Sequence, residues 1–313
     1  MKRKTIRVGT RGSQLALWQT HFVIQKLQRH FPGVTFETVI IKTTGDQERE
    51  KPLTQIGDKG LFTRELDEAL LDGRVDLTVH SLKDIPTQLP DGITIGAIPQ
   101  RGDVRDAFVS LQKKPFDALP YGATVATGSL RRRAQLRHLR PDLTIVNVRG
   151  NVPTRLEKLR INHWDGMVLA AAGLQRLQLE ERITQYFPPD QMVPAVGQGA
   201  LAIVHRTDDT MIAQQVSVLH HPPTAAAIQA ERQFLQTLEG GCQVPIGALA
   251  LVKDNELVLT GMLAGLDGDP MLKHRMEGTT QAAAQLGEQL GRWMLQHGGE
   301  TILTAIREES NER

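Results

Sequence analysis

The segment FTRELDEALLDGRVDLTVHSLKD, residues 62–84, combines a helix, a turn, a strand and a charged end in one stretch. Leu66 and Leu70 recur at helical spacing, and Gly73 is the residue type that ends a helix. The short sequence VDLTV at residues 75–79, which contains Val75, Leu77 and Val79, then predicts a buried strand. A helix that leads directly into such a strand is typical of α/β proteins with a largely parallel sheet.

The same alternation of β-branched runs and helical periods continues from residue 5 to about residue 203. It predicts an α/β fold, with one long helix over residues 13–30. The proline-containing segments 99–103 and 188–194 divide this part of the chain into two lobes. Further strands are predicted at residues 6–9, 34–41, 93–98, 124–126, 143–148, 167–170 and 200–204.

After the HHPP sequence at residues 220–223 the order of elements changes. A helix to about Leu238 is followed by three predicted strands and then by two helices. Because the strands are joined by short turns, they predict an antiparallel meander in a separate, smaller α+β domain. The three strands are predicted at residues 248–253, 256–263 and 270–277, and the two helices at 280–296 and 300–308.

Length and charge exclude several classes of protein. The 313 residues are too many for one ordinary core and fit two or three domains. The 37 Lys and Arg residues balance 35 Asp and Glu residues, which excludes the global basic field of a nucleic-acid coat. The longest nearly apolar stretch, residues 166–174, is far below the roughly 18 to 20 residues of a membrane span.

Motifs and cysteine usage narrow the possibilities further. The chain has no Walker-type phosphate loop, no HExxH and no CxxC, so we predict no metal site. Its one cysteine, Cys242, excludes an internal disulfide. The basic start MKRKTIRVGT has no apolar run behind it, so we expect no secretory signal in it. We therefore expect a cytoplasmic protein without a membrane or nucleic-acid partner.

Cationic side chains follow the predicted strands at their carboxyl ends, where open α/β sheets bind their ligands. Ser129 is a predicted helix N-cap, so the arginines after it oppose the helix dipole and require compensation. The simplest candidate is a bound anion, and the alternative is a solvated basic face with ion pairs to acids such as Asp142. The cations at strand ends are Arg11, Lys83, Arg131, Arg132, Arg149 and Arg176, and Arg155 lies one helical turn beyond the predicted cap Asn151.

Two further residues are candidates for chemistry. Asp84, beside Lys83, is a carboxylate among cations that can hold a substrate N–H or stabilise a passing positive charge. A helix cap or an ion pair with Lys83 explains it equally well. Cys242 follows two glycines that leave a thiol accessible, but a single cysteine is more often an inert buried side chain.

Eight blocks of this sequence, in the same order, resemble those of the porphobilinogen deaminase (hydroxymethylbilane synthase) family. The resemblance covers nearly the whole chain. The blocks are TRGSQLA at 10–16, KGLF at 59–62, VHSLKD at 79–84, GSLRR at 128–132, RGN at 149–151, AGLQR at 172–176, AVGQGA at 195–200 and LEGGCQVP at 238–245.

The resemblance implies a monomer of three domains, the first two arranged like a two-lobed periplasmic solute-binding protein. Domain 1 would comprise residues 1–99 and 199–219, domain 2 residues 100–198, and domain 3 residues 220–313 with a three-stranded antiparallel sheet. It further implies a transferase that condenses four porphobilinogen molecules head to tail, with loss of ammonia, on a covalent dipyrromethane primer. Hydrolysis would release hydroxymethylbilane for tetrapyrrole biosynthesis.

Residue roles follow from the same resemblance. Cys242 would form the thioether to dipyrromethane, Asp84 would be catalytic at the pyrrole N–H groups, and Phe62 would stack on or shield a pyrrole ring. The cofactor-binding residues would be Lys83, Asp84, Thr127, Gly128, Ser129, Arg131 and Arg132. The substrate-binding residues would be Arg11, Ser13, Phe62, Arg149, Arg155, Arg176 and Gln198.

Three positions depart from the family pattern, and two other interpretations compete with the enzyme. Gln55 stands where many relatives have lysine, Gly128 replaces a commoner serine, and Pro153 enters a helix start. A two-lobed anion-binding module, either receptor or regulatory domain, explains the lobes and cations. Nucleic-acid binding through the arginine clusters explains the cations alone. Neither alternative gives Cys242 a role.

Overall fold

The computed structural model describes residues 5–47, 60, 63–238 and 244–311. Within them the chain forms two five-stranded sheets flanked by helices and a three-stranded antiparallel sheet, which confirms the predicted α/β class. The chain divides into two compact units, Met1–Gly102 with Gly199–Ala225 and Asp103–Gln198 with Ala226–Arg313. Of the described helices, none is both long enough and apolar enough to cross a membrane.

Thirteen strands and ten helices make up the regular structure of the described residues. The strands are β1 (Thr5–Thr10), β2 (Thr35–Ile40), β3 (Leu77–Ser81), β4 (Ile93–Ala97), β5 (Asp106–Val109), β6 (Thr124–Ala126), β7 (Thr144–Val146), β8 (Gly166–Ala170), β9 (Gln185–Phe187), β10 (Leu201–Arg206), β11 (Ile246–Lys253), β12 (Glu256–Ala264) and β13 (Met271–Thr279). The helices are α1 (Gln14–His30), α2 (Thr44–Gln47), α3 (Arg64–Leu71), α4 (Leu130–Leu139), α5 (Val152–Ile161), α6 (Ala171–Arg176), α7 (Thr210–Ser217), α8 (Pro222–Thr237), α9 (Ala283–Met294) and α10 (Glu300–Asn311).

The strands of the two five-stranded sheets are arranged in equivalent orders, so each strand of one sheet corresponds to the strand at the same position in the other. In the first unit the order is β2-β1-β3-β10-β4, and in the second it is β7-β6-β8-β5-β9. Four strands of each sheet run in the same direction, while β10 and β5 run antiparallel to both of their neighbours. Each antiparallel strand is the first strand after the chain has passed from one unit to the other. The first residue of each antiparallel strand lies at the edge of the sheet where the parallel strands end, since Leu201 pairs with Ser81 and Asp106 pairs with Ala170.

The core of the first unit lies between its sheet and helices α1 and α7. Val8, Leu77 and Ile203 from three neighbouring strands are fully or almost fully buried. They pack against Leu27 of α1 and Val216 of α7. The period of four between Val23 and Leu27 places both on the same face of α1, which is why this long helix is held along the sheet.

The three-stranded sheet of the second unit is the antiparallel meander that the turn residues predict. Strands β11, β12 and β13 pair in order, and Lys253 lies opposite Glu256 across the first turn. The inner face packs on Phe234 of α8 and Leu290 of α9. A Cβ at Gly261 would lie 2.6 Å from the Phe234 ring, so glycine is needed in β12 for this contact.

Two strands were not predicted and one was predicted out of place. β5 and β9 are short, with four and three residues, and β5 begins with the charged Asp106. The strand predicted at 75–79 lies at Leu77–Ser81. Val75 and Asp76 instead close the turn after α3: Val75 N donates to Ala69 O at 3.1 Å, and the Asp76 carboxylate accepts from Arg7 N at 2.8 Å.

A buried carboxylate in α8 connects the three-stranded sheet to the segment around residue 197. Glu231 is fully buried. One of its oxygens accepts from Gly197 N and the other from Ala250 N, both at 2.8 Å. Glu231 therefore fixes the backbone next to Gln198 against strand β11.

We expect Glu231→Gln to lower the free energy of unfolding by about 1 to 3 kcal/mol, because the amide has one acceptor oxygen for two buried N–H groups. Urea denaturation of both proteins measures this. The matched control is the exposed Glu300→Gln, which should change stability by less than about 0.5 kcal/mol. Equal effects of the two substitutions would contradict the role of Glu231.

Candidate functional site

The first unit brings three predicted site residues to the carboxyl edge of its sheet. Arg11 directly follows β1, and Lys83 and Asp84 lie in a single 3₁₀ turn after β3. β1 and β3 are parallel, so their ends meet at the same edge. Lys83 and Asp84 are exposed, and Arg11 is half-buried. The turn is held in place because Leu82 N donates to Ala200 O at 3.0 Å.

Neutral polar groups support this edge from beneath. Ser13 caps α1, with its hydroxyl accepting from Ala16 N at 3.3 Å, and Gln19 donates to the Ser81 hydroxyl at 2.8 Å. His80 is buried, with Nε2 2.8 Å from the Thr78 hydroxyl. Burial and, to a lesser extent, the charge of Arg11 lower the pKa of His80 to about 4. His80 is therefore neutral at pH 7 and adds no charge to the edge.

The second unit holds a buried cluster around Asp106, the first residue of β5. Asp106 lies opposite Ala170, at the carboxyl end of β8. Its two oxygens contact Arg131 Nη1 at 2.8 Å and Arg132 Nη2 at 2.7 Å, and Arg132 Nε donates to it at 2.9 Å. Gln198 Nε2 donates to the same carboxylate at 3.0 Å. All four side chains are at least 94% buried.

The Asp106 cluster corrects the explanation expected for the arginines after Ser129. Arg131 and Arg132 do lie in the first turn of α4, but a protein carboxylate pairs with both of them. Asp142, the acid named as a possible partner, pairs with Arg140 instead. Burial raises the pKa of Asp106, but the charges and hydrogen bonds of the two arginines outweigh it and hold that pKa well below its usual range.

Sequence reasoning missed Asp106. It lies in β5, which the sequence did not predict, shortly after the proline-containing segment 99–103. The available signal was a charged residue followed by three apolar ones, in the sequence DAFV at 106–109. Because a buried charge needs a partner, such a residue indicates a cation elsewhere in the fold.

The backbone before α4 takes the form that the sequence predicts. The Ser129 hydroxyl accepts from Arg132 N at 3.4 Å, as expected for an N-cap, and the Thr127 hydroxyl accepts from Ser129 N at 3.3 Å. A Cβ at Gly128 would lie 2.5 Å from Val148 O. Gly128 therefore allows the loop after β6 to approach the loop after β7, which ends in Arg149.

Three more arginines follow β7 and β8. Arg149 is half-buried, and its Nη1 is fully buried without a hydrogen-bond partner among the described residues. Arg155 Nε donates to Gly150 O at 2.7 Å, one helical turn after the cap Asn151. Burial lowers the pKa of Arg176, in the last turn of α6, to about 10, so Arg176 remains charged at pH 7.

The predicted site residues thus form two groups, one in each unit. Arg11, Ser13, Lys83 and Asp84 belong to the first, and the residues from Thr127 to Gln198 belong to the second. Phe62 and Cys242, and the departure at Gln55, lie outside the described residues. Chemically, both groups offer multiple cations and hydroxyls at strand ends, which suits a ligand with several carboxylates.

Two family models match the chain. The porphobilinogen deaminase dipyromethane cofactor binding domain matches residues 6–214, and the porphobilinogen deaminase C-terminal domain matches residues 225–296. The porphobilinogen deaminase of Moorella thermoacetica is 49% identical over 305 residues, which is 97% of each chain. That of Geobacter sulfurreducens is 45% identical over 315 residues, covering 100% of this chain and 99% of the relative.

Among solved structures, a Salmonella typhimurium periplasmic binding protein with high arginine specificity aligns at a TM-score of 0.40 and 13% identity. The alignment covers 70% of this chain and 92% of that chain. A superposition of this extent identifies neither a substrate nor an activity.

We expect Asp106→Asn to lower the free energy of unfolding by about 3 to 5 kcal/mol, because it leaves two buried arginines without their shared charge. Urea denaturation measures the loss. The matched control is Asp267→Asn, because Asp267 also bridges two arginines, Arg133 and Arg137, but is 72% exposed. Its removal should cost less than about 1 kcal/mol. Similar losses in the two variants would contradict the assigned role of burial.

Proposed function

The chain belongs to the porphobilinogen deaminase family, and from that premise we propose which of its residues carry the reaction. The enzyme is a transferase that condenses porphobilinogen head to tail, with loss of ammonia, on a dipyrromethane cofactor. Tetrapyrrole biosynthesis is the pathway that this condensation serves. The observation that carries the residue assignment is the gathering of cations at parallel strand ends in both units.

The residues of the second unit fit a group with several carboxylates. In the proposed binding residues, Arg131 Nε and Arg149 Nη1 are fully buried and have no hydrogen-bond partner among the described residues. Each porphobilinogen-derived ring carries an acetate and a propionate, and guanidinium groups bind carboxylates at two points. When bound, dipyrromethane supplies a tethered pyrrole carbon to which the substrate is joined. Its proposed ligands are Lys83, Asp84, Thr127, Gly128, Ser129, Arg131 and Arg132, with Cys242 as the covalent attachment.

Asp106 and Gln198 prepare Arg131 and Arg132 for this role. Arg132 donates hydrogen bonds from Nε to the Asp106 carboxylate and from Nη1 to Val168 O at 3.0 Å. Arg131 Nη1 donates to Val193 O at 2.6 Å. The planes of both guanidinium groups are therefore fixed before a ligand binds, which reduces the entropy lost on binding. One carboxylate against two arginines also leaves one net positive charge in the cluster.

We assign substrate carboxylates to the cations that Asp106 does not neutralise. Arg149, Arg155 and Arg176 in the second unit, and Arg11 in the first, are half-buried at strand or helix ends. Ser13, Gln198 and Phe62 complete the proposed substrate-binding set. Half-burial strengthens a charge pair relative to full exposure while still allowing a substrate to reach the charge.

Asp84 is the proposed catalytic residue. It is an exposed carboxylate, and the neighbouring buried His80 is neutral, so the imidazole does not offset its negative charge. Asp84 can accept a hydrogen bond from a pyrrole N–H. It can also stabilise the positive charge that develops on the substrate as ammonia leaves its aminomethyl carbon. This role is electrostatic and needs no proton transfer by Asp84.

We also propose that the chain acts as a cytoplasmic monomer of three domains, with boundaries at residues 99/100, 198/199 and 219/220. Assigning its one cysteine to the cofactor leaves no disulfide, which supports a compartment where thiols stay reduced. Porphobilinogen is its small-molecule partner.

Intact-mass spectrometry of the purified protein should show an adduct of two pyrrole units. Peptide mapping should locate it on Cys242, because the thiolate is the only cysteine nucleophile in the sequence. Cys242→Ser should lack both the adduct and the activity. A fully active protein without the adduct would contradict the assignment of Cys242.

Asp84→Asn should keep the fold and the adduct but lose about 100- to 1,000-fold in kcat, the usual cost of removing one electrostatic stabiliser. Steady-state formation of hydroxymethylbilane measures this. Asp91→Asn is the control, because Asp91 is an exposed carboxylate of the same unit. Wild-type turnover of Asp84→Asn would remove Asp84 from the mechanism.

A further inference from the structure

A cavity in the first unit is surrounded by basic side chains that the proposed reaction does not use. Its volume is about 280 Å³. Lys26, Arg29 and His30 line it from the last turns of α1, and His220 and His221 line it from the segment between α7 and α8. Leu219 gives it an apolar wall. None of the described residues that line it is acidic.

Backbone hydrogen bonds fix both histidines of the α7–α8 segment as donors. His220 Nδ1 accepts from Ile98 N at 3.4 Å, and His221 Nδ1 accepts from Thr224 N at 3.3 Å and lies 2.8 Å from the Thr224 hydroxyl. A ring nitrogen that accepts carries no proton, so in the neutral imidazole the proton lies on Nε2. Both rings therefore keep an Nε2–H donor, and the backbone holds each ring in one orientation.

The charges around this cavity differ from those of the other basic clusters. Arg131 and Arg132 share the buried Asp106, and Arg133 and Arg137 share Asp267. By contrast, α1 has no acidic residue along its whole length. The α1 dipole favours Arg29 and His30 at its carboxyl end, but it does not account for two more imidazoles placed beside them.

We propose that this cavity binds a small polyanion with at least two negative charges, either a phosphate ester or a polycarboxylate. Its volume lies just below the range of known ligand sites, about 300 to 1,000 Å³, so only a compact ligand fits. The site is separate from the proposed catalytic edge. Arg29 lies fifteen residues beyond Gln14, which is about 22 Å along α1 from the end that follows Arg11.

The test titrates the cofactor-loaded protein with pyrophosphate and, separately, with citrate, while histidine side-chain resonances are followed by NMR. Single His→Gln variants assign the resonances. The proposal expects shifts at His30, His220 and His221 at anion concentrations that leave the exposed His163 unchanged. The anion that binds more tightly then identifies the chemistry as phosphate or polycarboxylate.

The double variant Lys26→Gln/Arg29→Gln should weaken this binding about tenfold or more, because it removes two charge-assisted hydrogen bonds. Lys114→Gln, which removes an exposed cation of the second unit, should change it less than about twofold. Both variants are first shown to retain the wild-type melting temperature. If an anion shifts only His80, near Arg11, or if the two variants behave alike, the anion binds elsewhere and the proposal is overturned.

Discussion

The buried carboxylate of Asp106 is the interaction on which the second unit depends. A lone charge in a protein interior costs several kcal/mol, so Asp106 is tolerable only because Arg131 and Arg132 meet it. The reverse also holds, because two buried guanidinium groups side by side need a shared anion. This mutual requirement fixes strand β5, the first turn of α4 and Gln198 relative to one another. Residues that we propose to bind carboxylates are thereby positioned by a carboxylate of the protein itself.

Much of this site was predictable because its positions follow from local rules. Ser129 and Asn151 are N-caps, and Arg11, Lys83 and Arg149 lie just after strands, as the alternation of apolar runs and helical periods indicated. Each of these features depends on residues within a few positions of one another. The local sequence is therefore sufficient to predict which residues cap a helix and which residues follow a strand.

The partner of Arg131 and Arg132 was not predictable in this way. Asp106 is 26 residues from Arg132 in sequence, and the contact exists only because β5 enters the sheet beside β8. The position of β5 between β8 and β9 depends on the strand order of the whole sheet, and the pattern of apolar residues near Asp106 does not encode that order. β5 has only four residues, and the first of them is charged. Long-range pairing of charges is thus the part of the fold that remained hidden.

The basic clusters of this chain show why a count of cations does not identify a ligand site. Arg131 and Arg132 are buried and share one buried acid, so half of their combined charge is neutralised within the fold. Arg133 and Arg137 share the exposed Asp267, where solvent screens the interaction. At Arg149 a buried nitrogen has no hydrogen-bond partner among the described residues. Around the cavity beside the last turns of α1, none of the described lining residues is an acid that could offset the basic groups. Capacity for an external anion follows from the charge and the donors that remain after the protein's own acids are paired. By that measure Arg131, through its Nε, Arg149, through its Nη1, and the cavity beside the last turns of α1 keep such capacity.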